Sequence, residues 1–130
     1  MFTCTMNKGV HLKFDNNLVL SIQWGTSNYC EARAYDKGLW YPLEHGKEEM
    51  WKSETAEIAI WHDDVEKKWL TAQIYANSEL NEILNDEVVG YLTTNEVLKV
   101  ANVVAELKKE VIDWLLTLEG PLDHSYDEDE

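Results

Sequence analysis

Cysteine, proline and arginine are scarce in this chain of 130 residues, which has two cysteines, two prolines and a single arginine. No secretory leader precedes Cys4 and Cys30, because the first residues lack a basic region followed by an apolar run. We therefore expect free thiols in a reducing compartment, the cytoplasm. No stretch reaches the ~20 apolar residues that a membrane-spanning helix requires, so the sequence predicts no membrane span.

Positive charge is scarce as well, since 25 acidic residues against 11 basic residues give a formal net charge of −14. Residues 119–130 contain six of the acids and no lysine or arginine, so the rest of the chain has a charge of −8, from 19 acids against 11 bases. This charge repels nucleic acid and anionic membranes and accelerates encounters with basic proteins. The sequence predicts a partner protein with a basic surface and no direct contact with nucleic acid.

Motifs for catalysis, phosphate binding and metal coordination are missing too. Cys30 has no histidine at a recognised spacing, and the adjacent Glu31 disfavours its thiolate, so a buried cysteine is the simpler interpretation. No paired Cys or His spacing indicates zinc, and Asp63, Asp64 and Glu66 lack the glycine of a calcium loop. A glycine-rich phosphate loop is also absent. We predict no enzymatic activity, no cofactor and no metal site.

Alternating apolar and polar residues predict antiparallel hairpins in the first part of the chain. A short strand at 2–6 precedes one hairpin, with strands at 10–14 and 18–24 and an Asp-Asn-Asn turn between them; a second hairpin is predicted from strands at 56–61 and 69–75. A helical turn is a candidate within 77–87, and residues 88–92 are a short apolar piece. The aromatic region 25–53 is irregular, as functional loops often are.

The C-terminal third has the strongest helical pattern. The stretch 93–96 has the form of a capping box, Thr-Thr-Asn-Glu, in which the first and last residues exchange hydrogen bonds. Apolar residues then recur at steps of three and four as far as Leu118, and Gly120-Pro121 ends the pattern. The sequence predicts one helix of about 25 residues, roughly 37 Å long at 1.5 Å per residue.

These elements together predict the α+β fold class. Residues 1–120 are expected to form a single domain in which an antiparallel sheet of two or more hairpins packs on one long C-terminal helix. Residues 121–130 form an acidic tail that we expect to be disordered.

Two groups of residues are candidate binding surfaces. Arginine, amide and aromatic side chains gather in one loop and could bind a small anionic ligand such as a nucleotide: Asn28, Tyr29, Arg33, Trp40 and Tyr41. The alternative for this loop is that Arg33 pairs with a local acid and Tyr29 caps the sheet. The apolar surface of the predicted helix is wider than a sheet alone requires, which predicts a homodimer interface at Leu98, Ala101, Ile112, Leu115 and Leu116.

Three stretches resemble a group of small bacteriophage proteins of unassigned function. They are residues 20–30, with S-I-Q-W-G-x-x-N-Y-C, residues 56–61, A-E-I-A-I-W, and residues 90–97, G-Y-L-T-x-x-E-V. The resemblance implies a phage protein in the cytoplasm of the host cell, where small proteins of this kind inhibit or modulate host systems. It names no reaction, and we carry over no catalytic residue.

Charge and resemblance together lead to one main functional hypothesis. We expect an acidic phage-type protein that binds and inhibits or modulates a host protein, such as a nucleic-acid-binding or defence factor, by imitating the charge of nucleic acid. One alternative is a small-ligand binder that sequesters a nucleotide signal through the loop of Asn28 and Arg33. Another is a structural or interaction subunit of a phage assembly.

Overall fold

Six strands and three helices form the part of the chain that the computed structural model describes, residues 1–5, 9–24, 53–63 and 68–118. The strands are β1 (Phe2–Thr5), β2 (Gly9–Lys13), β3 (Leu18–Gln23), β4 (Thr55–His62), β5 (Lys68–Trp69) and β6 (Val88–Thr93). The helices are α1 (Thr71–Ala76), α2 (Thr94–Glu106) and α3 (Lys109–Leu115). The fold is an antiparallel sheet with helices, which confirms the α+β class.

All strand pairs in the sheet are antiparallel, and β4 lies at its centre. The strands β1, β2, β3 and β4 are neighbours in that order. The other side of β4 is shared, because β5 pairs with its last residues and β6 pairs with its first half. Among the described strands, β1 is therefore the outer strand on one side of the sheet.

The turn between β2 and β3 forms where the sequence places it. Asn17 has a φ of 70°, a left-handed conformation that Asn adopts more readily than most residues. The Phe14 N–H donates to the Leu18 carbonyl at 2.9 Å and closes the turn. The first predicted hairpin is confirmed.

The main core lies between one face of the sheet and the helices. Leu20 of β3 and Ile60 of β4 are directly opposite each other, and neither has any exposed surface. All three helices contribute buried side chains to the same cluster: Ile74 and Tyr75 from α1, Val100, Val103 and Val104 from α2, and Ile112 and Leu115 from α3.

The second predicted hairpin forms only at its closed end, where Trp61 pairs with Trp69. The rest of its second strand is wrong, because β5 has only two residues and the chain then enters α1. The residues with the least exposed surface here are at positions 70, 71, 74 and 75. That spacing places them on one side of a helix, whereas a half-buried strand buries every second residue. A short apolar run is compatible with either structure, and burial on the existing sheet favours the helix.

Thr71 makes the transition from β5 to α1 possible. Its Oγ1 accepts a hydrogen bond from the Ile60 N–H at 2.8 Å and donates to the Ile60 carbonyl at 3.3 Å. The Leu70 N–H also donates to that carbonyl at 2.8 Å. The buried backbone of β4 is thus satisfied without a longer partner strand.

The apolar piece at 88–92 forms most of β6. Its pairing with β4 shifts between Ala56 and Ile58, where an extra residue of β6 makes a β-bulge. Tyr91 lies in this bulge with a φ of 57°, which is unusual for a bulky residue. The bulge directs Tyr91 outward, and its side chain is 56% exposed.

The single long helix predicted for the C-terminal third is corrected by the structure to two shorter helices. The capping box at the start of α2 is confirmed, since Thr93 Oγ1 accepts from the Glu96 N–H at 3.3 Å and Glu96 Oε1 accepts from the Thr93 N–H at 2.8 Å. The helix ends at Leu107, which has an extended ψ of 132°.

Asn16 supplies the physical reason for this break. Its Nδ2 donates to the carbonyls of Val104 at 2.9 Å and Leu107 at 3.0 Å, at the helix end where carbonyls lack their regular partners four residues on. The Val104 carbonyl also accepts from the Leu107 N–H at 3.3 Å. Its Oδ1 accepts from the Leu18 N–H at 3.1 Å. The turn of the first hairpin therefore caps α2 from 88 residues away in the chain, and α3 can pack at a new angle on the core.

Candidate functional site

The predicted ligand loop lies outside the described residues. This applies to all five of its members, Asn28, Tyr29, Arg33, Trp40 and Tyr41, and to Cys30. The acidic tail, residues 121–130, is also outside the described part of the chain. Both remain predictions from the sequence.

The five predicted interface residues have different positions in the fold. Leu98 is on the outer side of α2 and is 58% exposed. Ala101 and Leu116 are half-buried against the main core, and Ile112 and Leu115 are part of it, with 1% of their surface exposed. Ile112 and Leu115 are buried by packing within this chain, so of the five predicted interface residues only Leu98 exposes a large surface to a partner. The homodimer itself stays a prediction.

An ordered acidic loop connects α1 to β6 and presents an apolar side chain. The N–H of Asn81 donates to the Ser78 carbonyl and that of Glu82 donates to the Tyr75 carbonyl, each at 3.0 Å, so the loop is tied back to the end of α1. Ile83 follows with 81% of its surface exposed. The loop thus holds an aliphatic side chain in solvent next to the acidic residue Glu82.

Two carboxylates from different elements converge near Tyr75 of α1. Burial raises the pKa of Tyr75 well above its ordinary value of 10.0, and the negative charges of Glu82 and Glu96 raise it further. Glu82 comes from the acidic loop and Glu96 from the first turn of α2, so the fold brings them to one region of the surface. We call Glu82, Ile83 and Glu96 the acidic–apolar surface.

The raised pKa of Tyr75 predicts a loss of stability at alkaline pH. A phenol that holds its proton more tightly when folded contributes stability that is complete below pH 10 and is lost as the pH rises further. The loss is about 1.4 kcal/mol per pH unit once the unfolded phenol ionises. Tyr75→Phe should remove this component in urea titrations between neutral and strongly alkaline pH.

Tyr91→Phe is the matched control for this alkaline effect, because it removes a hydroxyl from a tyrosine that is more than half exposed. It should leave the alkaline loss of the wild-type protein in place. Identical alkaline profiles for the wild-type protein and Tyr75→Phe would show that the Tyr75 phenol is not the group responsible.

A second feature, on the opposite face of the sheet, is an aromatic cluster beside a small cavity. The ring centroids of His11 and Trp61 are 5.0 Å apart at 87°, and those of Trp61 and Trp69 are 5.5 Å apart at 43°. Lys13 Nζ is 3.0 Å from Asp63 Oδ2 at the rim. The cavity of about 160 Å³ is lined by Met1, Thr3, His11, Lys13, Val19, Trp61 and Asp63.

The size of this cavity decides what it can hold. Sites for small molecules the size of a cofactor are ~300–1,000 Å³, so about 160 Å³ is too small for a nucleotide.

The Lys13–Asp63 pair at the rim is about one-third exposed, and such pairs contribute little to stability, about 0–1 kcal/mol. The indole N–H of Trp61 is buried and has no hydrogen-bond acceptor among the described residues. The cluster is best described as packing on the second face.

Glu87 is a buried carboxylate with a structural role. It is 4% exposed, and its Oε1 accepts a hydrogen bond from the Ala72 N–H at 3.0 Å. The residue before α1, Leu70, has no side chain that could cap the helix. Glu87 therefore satisfies a free N–H in the first turn of α1, where a negative charge is favourable.

Neither a metal site nor a membrane span is visible in the described part of the chain. Its His, Cys, Asp and Glu side chains form no group of three that could coordinate an ion. None of its helices has the length and apolar character needed to cross a bilayer. The search for relatives against protein-family models, curated proteins and solved structures finds no match to this chain.

The sequence analysis missed Glu82, Ile83 and Glu96 as members of one surface. A signal for Ile83 was present, because it lies in the short run Glu-Ile-Leu-Asn-Asp-Glu at 82–87, where acids and an amide surround only two aliphatic residues. The sequence contains no signal that Glu82 and Glu96 both lie near Tyr75, since they are 14 residues apart in different elements.

Proposed function

We propose that this protein is an acidic binding module that occupies a basic surface of another protein through the acidic–apolar surface. The observation that carries the proposal is Ile83, an aliphatic side chain that is 81% exposed on an ordered loop and directly follows the acidic residue Glu82. Protein interfaces are commonly built from an apolar anchor surrounded by charged residues that set specificity. The net charge of −14 selects a cationic partner and accelerates the encounter.

The biological setting of the proposal follows from the resemblance of three stretches to bacteriophage proteins. It supports a host protein as the partner, and its basic surface would be one that normally binds nucleic acid or serves in defence. Occupation of that surface inhibits or modulates the host protein without any chemistry. No cofactor, metal or catalytic residue enters this mechanism, and the setting is the cytoplasm of the host cell.

The test uses charge reversal at the acidic–apolar surface. We expect Glu82→Lys to weaken binding of a basic protein isolated from host lysate by about tenfold or more, since a like-charge contact replaces an attractive one. Glu106→Lys makes the same charge change at the far end of α2, about 15 Å from Glu96 at 1.5 Å per residue. It should weaken binding much less. Titration calorimetry at low and high salt measures both.

Ile83→Ser tests the apolar anchor separately from the charge. Because Ile83 is 81% exposed, we expect no change in the thermal midpoint and a loss of affinity of about tenfold. Equal affinities for Glu82→Lys, Glu106→Lys and the wild-type protein, or binding that does not weaken with salt, would contradict the proposal.

A further inference from the structure

Within the part of the chain that the structure describes, no strand pairs with the edge of β1 that faces away from β2. Met1 and Lys13 exchange two backbone hydrogen bonds of 2.9 and 2.8 Å, so Met1, Thr3 and Thr5 direct their backbone groups toward β2. In an antiparallel pair these groups alternate in direction along the strand. The N–H and C=O groups of Phe2 and Cys4 therefore point away from β2, toward the side of the strand on which no described strand lies.

Nothing in β1 protects this edge from pairing. Natural edge strands are commonly guarded by lysine, proline or a bulge, and Phe2–Thr5 contains neither of those residues and pairs regularly with β2. Phe2 of β1 is also 82% exposed, and the preceding Met1 is 75% exposed. The edge thus combines backbone groups that no described strand pairs with and exposed apolar surface, and both are features of sites where a further strand is added to a sheet.

The distribution of charge indicates which partner fits this edge. Residues 1–24 carry two lysines and one aspartate, a charge of +1, whereas residues 25–130 carry nine basic and 24 acidic residues, a charge of −15. β1 itself has no charged side chain. Two copies that meet at β1 bring together strands from the part of the chain that has no excess negative charge.

We propose that β1 pairs with β1 of a second copy of this chain about a twofold axis through Thr3. The groups that face away from β2 set the register: Phe2 pairs with Cys4 of the second copy, and both exchange backbone hydrogen bonds. Thr3 then faces its own equivalent as a pair without hydrogen bonds. The two Phe2 side chains are diagonal neighbours on one face, close enough for aromatic rings to contact and to cover their exposed surface.

This dimer differs from the interface that the helical pattern predicts around Leu98. It also differs from the acidic–apolar surface, which lies on the loop before β6 and on α2. Strand pairing leaves that surface free in each copy, so the dimer presents two of them. The inference stands on β1 alone and does not depend on the proposed function.

Disulfide trapping tests the register directly. In a background of Cys4→Ser and Cys30→Ser, Thr3→Cys places two thiols on the axis with their Cα atoms about 4.5 Å apart, which a disulfide spans. Phe2→Cys is the matched control, because its thiols are diagonal and too far apart to bridge. Under mild oxidation we expect at least about tenfold more covalent dimer from Thr3→Cys than from Phe2→Cys. Equal yields from both, or none, overturn the proposal.

Analytical ultracentrifugation tests the association itself. We expect the wild-type protein to dimerise more tightly as salt is added, since screening reduces the repulsion between the acidic parts, and Phe2→Glu to be monomeric at the same concentration. Leu98→Asp should leave the dimer intact. A wild-type monomer at high micromolar concentration, or a dimer lost in Leu98→Asp and kept in Phe2→Glu, overturns the proposal. Binding of a basic protein weakens with salt instead, so the two proposals fail separately.

Discussion

Thr71→Val should lower the free energy of unfolding by about 2 to 3 kcal/mol, although the two side chains have nearly the same shape. The hydroxyl of Thr71 is fully buried and bonds both the N–H and the carbonyl of Ile60. Valine leaves the Ile60 N–H buried without an acceptor, and such a group costs about 1 to 3 kcal/mol. The carbonyl keeps its bond from the Leu70 N–H. Urea denaturation measures the loss.

Thr71→Ser is the control that separates the hydroxyl from the methyl group. It keeps both hydrogen bonds and removes one buried methyl, so we expect a smaller loss of about 1 kcal/mol. Equal free energies of unfolding for Thr71→Val and Thr71→Ser would mean that the Thr71 hydroxyl does not stabilise the transition from β5 to α1.

Asn16→Asp should destabilise the protein by about 2 to 3 kcal/mol at neutral pH. The amide of Asn16 donates to the carbonyls of Val104 and Leu107, and a carboxylate has no proton to donate and carries a negative charge toward these oxygens. The bond from the Leu18 N–H is kept. The change thus acts on the junction of α2 and α3 and spares the hairpin turn.

The pH dependence of this variant gives a second readout. The two carbonyl oxygens raise the pKa of the new carboxyl group in the folded protein above its unfolded value of about 4, and its protonation restores one donor. The deficit relative to the wild-type protein should therefore shrink as the pH falls toward about 4 and reach its minimum below that pH. Asn16→Ala, which cannot titrate, should lose all three bonds and keep the same deficit at every pH. A deficit of Asn16→Asp that does not change with pH would mean that the side chain does not cap α2.

The features predicted correctly from the sequence depend on residues close together in the chain. The turn around Asn17, the alternation of β2, β3 and β4, and the capping box from Thr93 to Glu96 each involve at most a few neighbouring residues. Local pattern and backbone preference are enough for these, and together they establish the α+β class.

The two wrong elements depend on contacts between distant residues. The pattern at 69–75 predicts a strand, yet most of these residues form α1. The Thr71 side chain bonds the Ile60 N–H and carbonyl of β4, so these backbone groups do not need a longer partner strand. The long helix was expected because its apolar steps continue without glycine or proline, yet Asn16 ends it at Leu107. Neither interaction has a sequence signal at the point where it acts, so only the packed structure could show it.

For the acidic–apolar surface too, the sequence determines one property and the tertiary structure another. Composition alone establishes that the protein is strongly acidic, because net charge is a sum that does not depend on folding. The tertiary structure decided where that charge meets exposed apolar area, since it brings Glu82 and Glu96 together at Tyr75 and leaves Ile83 in solvent. It also decided that β1 is an outer strand, because strand order follows from pairing between segments far apart in the chain.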